Sequence, residues 1–285
     1  SLVNTPGVYA KQDTPKAYEA DTEAQAKADA LIELGIISGY SPQGDVSKTM
    51  LDEAVSKITG SKIESTKFFN SNYKDSGMTV IQAVAIMLDI AGYTDYINAS
   101  QGGYSATAVY KTARNTGVLK GSAKMVSENK EYNKALKMED FIKILYNTMF
   151  ETDVMEQEQW GDNTNYSIKK DKTVGYVYKN ILTVEGIVLA SGKLNLTSMG
   201  ELENDGLIIG NTQYTYKRIA DPDTVIGRYA RAFVTEKDNR RVLALEIVDS
   251  KNNTVNFESK DVETSGTTAN RIVYYDSKEK KQTAN

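Results

Sequence analysis

The chain contains no cysteine and no histidine among its 285 residues. These absences exclude zinc sites built from Cys and His, and catalysis by Ser-His-Asp or Cys-His sets within the chain. Acid–base chemistry near neutral pH would fall to Asp, Glu, Lys or Tyr with shifted pKa values. No pair stands out among the 38 acidic residues, so the sequence favours a protein that is not an enzyme and needs no cofactor.

Long apolar runs are also missing, since none approaches the roughly 18 residues that a membrane-spanning helix needs. The net charge is -4, and no basic stretch recurs on one face, which argues against nucleic-acid binding. No signal peptide is visible, and the start "SLVNTPGVYA" lacks an initiator Met, which we interpret as a mature or trimmed end. The 18 Tyr and the absence of Cys are typical of an exported protein. We therefore expect an extracellular protein without a membrane span.

The hydrophobic pattern changes character near residue 152, which predicts two domains. Apolar positions at helical spacing predict helices over 22–35, 47–59, 79–91, 105–116 and 137–149. Alternating β-branched and aromatic residues predict strands over 182–190, 206–216, 228–236, 241–249, 253–259 and 271–276.

The predicted fold class is α+β multidomain. A helical repeat domain is expected over 1–150, a polar connector over 151–178 and a small antiparallel β barrel or sandwich over 179–285. The ending "KEKKQTAN" follows directly on a strand candidate. We interpret it as a cut inside a longer protein, so that the β domain would be truncated at its C-terminal end.

The first helix and its end recur later in the chain. "AKADALIELGIISG" (26–39) aligns without gaps on "AVYKTARNTGVLKG" (108–121), with Gly35 matching Gly117. In each copy the glycine can supply the left-handed position that closes a helix, and an aliphatic pair follows it. A polar loop and a second helix come next, so helix, glycine, apolar pair, loop and helix form one repeated unit. Repeats of this kind stack to share a core.

This unit resembles the S-layer homology module, which comes in sets of three. "MTVIQAVAIMLDIAGY" (78–93) is similar to the second helix of such a module, and 61–77 stands where a shortened middle module would place its first helix. The resemblance covers about residues 15–150. It implies a bacterial cell-surface location and binding of an acidic cell-wall polysaccharide through Tyr40, Gly44 and Lys48.

The equivalent positions of the three units differ in charge. Lys48 stands at the basic position of the first unit, whereas Val80 and Met138 stand there in the second and third. An anionic glycan needs cations or helix N-terminal amides, so two of the three clefts lack a charged contact. The first hypothesis is a non-catalytic, S-layer-like assembly protein that contacts copies of itself or other envelope proteins. The alternatives are a cell-wall glycan anchor and a structural component of a phage particle.

Two features of the predicted connector each have more than one interpretation. Trp160, the only Trp, could stack on a sugar, but a lone Trp in a linker more often fills the seam between domains. Asp162, Asn163 and Asn165 offer oxygen ligands for calcium. They lack the glycine and terminal Glu of an EF-hand loop, so a plain polar loop is the favoured interpretation.

Overall fold

The computed structural model describes residues 22–62, 77–120, 134–197, 200–236, 240–252, 258–267 and 271–284. Within them the protein is mixed α and β, with seven helices and several sheets. It divides into two compact units. The first comprises Ser1–Thr183, Thr215–Ala220 and Phe233–Ala244, and the second comprises Val184–Tyr214, Asp221–Ala232 and Leu245–Asn285.

The predicted helices are confirmed in place, with ends that shift by one or two residues. The helices are α1 (Thr22–Glu33), α2 (Lys48–Thr59), α3 (Val80–Ile90), α4 (Thr94–Ser100), α5 (Ala106–Thr116), α6 (Met138–Glu151) and α7 (Val174–Lys179). The short helices α4 and α7 were not predicted, because neither is long enough to repeat an apolar stripe. The proposed first helix of the middle repeat, 61–77, falls mainly on 63–76, outside the described residues.

The two copies of the repeat have the same backbone form at the helix end. Gly35 and Gly117 both adopt the left-handed conformation, with φ of 69° and 88°. The aliphatic pair after each glycine is buried, at Ile36 and Ile37 in the first copy and at Val118 and Leu119 in the second. All four side chains belong to one hydrophobic core. The prediction that 26–39 and 108–121 share a form and a core is therefore supported wherever those residues are described.

The core of the first unit is filled by the inner faces of α1 to α6. Helix α3 is buried on nearly every side, including Ile86, Met87 and Leu88, as its apolar sequence predicts. Phe233 belongs to the same core and lies with ring centroids 4.8 Å from Phe150 and 6.1 Å from Tyr146. Residues far along the chain therefore complete the interior of the helical unit.

Residues 151–178, predicted as a polar connector, form regular structure. Strands β1 (Asp153–Trp160) and β2 (Asn163–Thr173) make an antiparallel hairpin, and α7 follows it. Val154, Met155 and Val174 are part of the core of the first unit. The predicted boundaries at 150 and 178 thus fall inside a compact unit. The hairpin carries polar residues on both faces, so it lacks the alternation that marks a half-buried strand.

The remaining strands follow the predicted spacing. They are β3 (Ile181–Ser191), β4 (Gly206–Ile209), β5 (Thr212–Tyr216), β6 (Tyr229–Thr235), β7 (Arg241–Ile247), β8 (Ile272–Tyr275) and β9 (Lys281–Ala284). Five of them form one sheet in the closed order β3-β4-β5-β7-β6, and β8 pairs with β9. The predicted strand 253–259 lies mainly outside the described residues.

Two details of the predicted β domain need correction. The sheet was expected to be antiparallel, but β5 and β7 pair in parallel, with Thr215 opposite Arg241. The ending "KEKKQTAN", in which no strand was predicted, contains β9 (Lys281–Ala284), and Lys281 makes an ion pair of 2.5 Å with Glu263. Lysines alternate poorly with apolar residues there, so the period-two signal was absent.

Candidate binding site in the helical unit

Three short segments that lead into helices α2, α3 and α6 meet in the first unit. The N–H of Val46 donates to the Leu136 carbonyl at 3.0 Å, that of Leu136 to the Met78 carbonyl at 2.7 Å, and that of Met78 to the Val46 carbonyl at 2.9 Å. These bonds close a ring, which we call the backbone triangle. All three side chains are buried. Val46, Met78 and Leu136 each stand two positions before the first residue of α2, α3 and α6. The three helix starts are therefore equivalent positions around the triangle.

The triangle tests the alignment on which the predicted site depends. Lys48, Val80 and Met138 are the first residues of α2, α3 and α6. They therefore occupy matching places, as the sequence alignment assumed. Val80 and Met138 are buried at 3% and 5% exposure. At these two helix starts the side chain packs into the interior and offers no charge to a ligand.

Tyr40, Gly44 and Lys48 lie on one segment that runs from a loop into α2, and each makes a different kind of contact. Tyr40 is half-buried and packs against the core. The Gly44 N–H donates to the Ser41 carbonyl at 3.2 Å, and the Gly44 carbonyl accepts from the Met138 N–H at 2.8 Å. Gly44 thereby links the first repeat to the start of α6 through its backbone.

The cation predicted for the first cleft already has an acidic partner. Lys48 forms an ion pair with Asp52, one turn further along α2. A second lysine near the triangle, Lys137, pairs with Asp45 at 2.5 Å. Neither ion pair was predicted from the sequence. The four-residue spacing of Lys48 and Asp52 could have indicated the first pair, whereas Asp45 and Lys137 are far apart in sequence.

Another charged pair lies deeper in the same unit, and it was not predicted. The Glu33 carboxylate sits 2.5 Å from Nε of Arg241, with side-chain exposures of 3% and 12%. Burial raises the pKa of Glu33 above its ordinary value of 4.5, while Arg241, Lys217 and Arg218 act in the opposite direction. Glu33 ends α1 and Arg241 opens β7, so only the folded chain brings them together.

Tyrosines collect around the C-terminal end of α3. The Tyr178 hydroxyl donates to the Ile90 carbonyl at 3.3 Å, and the Thr94 hydroxyl donates to the Asp89 carboxylate at 2.6 Å. Burial, with a smaller effect of Asp89, raises the pKa of Tyr104 to about 12. The same causes raise the pKa of Tyr178. Both hydroxyls therefore keep their protons at neutral pH, and that of Tyr178 acts as a hydrogen-bond donor.

The candidate sugar-stacking and calcium-binding residues of the predicted connector all lie on the hairpin. Trp160 ends β1 and is 71% exposed. Asp162 lies in the turn, and Asn163 and Asn165 lie in β2. Among the described residues, no group of three or more Asp and Glu side chains is placed to hold a metal ion.

Compared with known proteins, the chain matches no family model, no curated protein and no solved structure. Over the described part of the chain, no single helix has the length and apolar character to cross a membrane, although α3 and α4 pass that test together as a pair bent by 102°.

Proposed function

We propose that the chain is a non-catalytic structural protein of a bacterial cell surface, similar to S-layer proteins, which acts through contacts with other protein molecules. The observation that carries this proposal is the burial of Val80 and Met138 at two of the three equivalent helix starts. An acidic polymer held at these places would need cations or exposed amides. The buried side chains of Val80 and Met138 stabilise the helical core instead, so other surfaces of the chain would contact its partners.

The remaining charges near the triangle support the same proposal. Lys48 and Lys137 are each compensated by a carboxylate of the chain. A ligand phosphate or carboxylate would have to displace Asp52 or Asp45, and an ion pair with one surface lysine contributes only about 0–1 kcal/mol. Ligand binding at a single such lysine would therefore be weak, which favours assembly over glycan anchoring.

The proposal is tested by two measurements on the purified chain. Electron microscopy should find oligomers or ordered arrays, and sedimentation with isolated bacterial cell walls should leave most of the protein in the supernatant. Monomers that pellet with the walls would contradict the proposal. Closed shells in place of sheets would favour the phage-particle alternative.

The glycan-anchor alternative is favoured by one observation. Lys48 is the first residue of α2, where the N-terminal amides add to its positive charge. If the chain does bind wall polymer, Lys48→Ala should reduce wall sedimentation several-fold. Lys57→Ala, in the last turn of the same helix, is the matched control and should have no effect. Equal sedimentation of both variants would place the binding elsewhere.

A further inference from the structure

The chain contains one Asp–Pro peptide bond, between Asp221 and Pro222, whereas its other prolines follow Thr or Ser. Asp–Pro bonds are chemically labile for two reasons. The aspartate carboxylate can act as a nucleophile and close a cyclic anhydride on the carbonyl carbon of its own residue. The proline nitrogen belongs to a tertiary amide, which accepts a proton more readily than an N–H amide and so leaves more easily. The conformation that the fold imposes on this bond therefore affects its lifetime.

Asp221 holds a strained backbone conformation directly before the proline. Its φ is 43° and its ψ is 56°, in the left-handed region that residues with a side chain adopt uncommonly. A following proline further restricts a residue to extended backbone, because the ring Cδ crowds its N–H and Cβ. Breaking the bond to Pro222 releases this restriction, so the strain favours cleavage.

The chain that follows Asp221 is anchored in place. Pro222 is buried and opens a 3₁₀ helix, Pro222–Val225. Within this helix the Asp223 carboxylate accepts a hydrogen bond from the hydroxyl of Ser191, which is buried. Strained conformations persist only where the surrounding structure imposes them, and these contacts supply that support.

Two hydrogen-bond donors point at the carbonyl oxygen of the Asp221–Pro222 bond. The Thr224 N–H lies 3.0 Å from this oxygen and the Thr224 hydroxyl lies 2.8 Å from it. When a nucleophile attacks the carbonyl carbon, negative charge develops on the oxygen. Donors that are in place beforehand stabilise that charge, so the turn is arranged to assist the attack.

The Asp221 carboxylate is available as the nucleophile. Asp221 is exposed and its side chain does not cap the 3₁₀ helix. Among the residues that the structure describes, its carboxylate has no hydrogen-bond or ion-pair partner. The neighbouring carboxylate of Asp223 is held by Ser191 and lies 4.0 Å from the Lys193 ammonium. The two acidic groups of this turn are thus in different states.

We propose that the folded chain cleaves its own Asp221–Pro222 bond. A carboxylate oxygen of Asp221 forms a bond to the carbonyl carbon of the same residue, the bond from that carbon to the Pro222 nitrogen breaks, and this nitrogen takes a proton from water. A water molecule then hydrolyses the anhydride. The net reaction consumes one water molecule, involves no oxidation or reduction, and leaves a carboxyl group on Asp221 and a secondary amine on Pro222. This reaction is independent of the proposed assembly function.

The two products carry different strands of the closed sheet. Strands β3, β4 and β5 lie before the cut, and β6 and β7 lie after it. Because β5 pairs with β7, the products should stay associated in the native protein. Cleavage should then become visible only under denaturing conditions.

Denaturing electrophoresis and intact mass of the purified full chain, incubated in mildly acidic buffer, test the proposal. The wild type should yield the fragments 1–221 and 222–285. Asp221→Asn removes the nucleophile and should slow cleavage by about tenfold or more. Thr224→Val removes the hydroxyl donor and should also slow it by about tenfold or more. Asp223→Asn is the matched control, since it alters the neighbouring carboxylate, and should be cleaved as the wild type is.

Incubation of the wild type in urea separates the effect of the fold from the lability of the sequence. Unfolding removes the left-handed backbone and the Thr224 donors, so fragments should form about tenfold more slowly or less. Equal or faster cleavage in urea contradicts the proposal, as do an intact native chain, a cut at another bond, or an Asp223→Asn variant that resists cleavage. Circular dichroism checks that each variant folds, which we expect because Asp221 and Thr224 are exposed.

Discussion

Gly92 joins helix α3 to the hairpin through a close approach of two backbones. Its φ is 83°, and a Cβ atom placed there would lie 2.3 Å from the carbonyl oxygen of Met155. The Met155 N–H donates to the Ala91 carbonyl at 2.8 Å, so the contact is fixed on both sides. Only glycine satisfies the backbone conformation and the space together.

Gly92→Ala should therefore lower the free energy of unfolding by about 2–5 kcal/mol, the sum of a left-handed backbone and an overpacked contact. Gly60→Ala is the matched control, because Gly60 has a φ of 75° and open space where the added methyl group would stand. It should lose only about 1–2 kcal/mol. Chemical denaturation measures both losses, and equal losses would show that the Met155 contact does not constrain Gly92.

Glu33 is a deeply enclosed carboxylate whose titration bears on stability. Its pKa is raised, so between pH 4.5 and the raised value the folded chain holds a proton that the unfolded chain has released. The contribution of this group to stability therefore falls as pH rises through that window. The sign follows from burial, which disfavours the ionised carboxylate more than Arg241 and its neighbours favour it.

Glu33→Gln removes that titration. The difference in unfolding free energy between the variant and the wild type should shift in favour of the variant as pH rises from about 4 to 7. Urea denaturation at several pH values provides the measurement. A constant difference across the range, or a shift toward the wild type, would contradict the raised pKa.

At the scale of elements, the three equivalent helix starts differ in how they are capped. The Ser47 hydroxyl accepts from the Met50 N–H at 3.1 Å. Thr79 makes a full capping box with Gln82, whose side chain accepts from the Thr79 N–H at 2.9 Å. Lys137 precedes α6 with the same extended backbone and makes no side-chain cap. Helix α6, whose N-cap residue is Lys137, is thus the only one of the three without a side-chain cap.

These differences predict opposite effects of two substitutions. Thr79→Ala should lower the free energy of unfolding by about 1–2 kcal/mol, because it removes the cap from a central helix. Lys137→Ser should raise it by about 0.5–1 kcal/mol, less the small contribution of the surface pair with Asp45. Thermal or chemical unfolding measures both. If Lys137→Ser instead lowers the free energy of unfolding by more than about 1 kcal/mol, the ion pair between Lys137 and Asp45 stabilises the fold more than a surface ion pair does.

For the molecule as a whole, features that depend on local sequence patterns were predicted, whereas contacts between residues far apart in the sequence were not. The helices, the glycine ends and most strands follow from apolar spacing and turn residues, which are local properties. The hairpin was missed because most of its residues are polar and exposed, so that no alternating pattern of apolar residues marks its strands. The Glu33–Arg241 pair was missed because its members are distant in sequence and meet only through packing. Of the predicted site, the equivalence of Lys48, Val80 and Met138 could be obtained from the repeat, whereas the ion-pair partners depended on the fold.

The backbone triangle is the central structural claim, because it joins the starts of α2, α3 and α6 into one scaffold. Native-state hydrogen exchange of the Val46, Met78 and Leu136 amides tests it most directly. These three amides should exchange only through global unfolding, with one shared free energy that equals the stability measured by denaturation. Exchange of one amide through local opening, while the other two stay protected, would contradict the claim that the three helix starts are joined at a common centre.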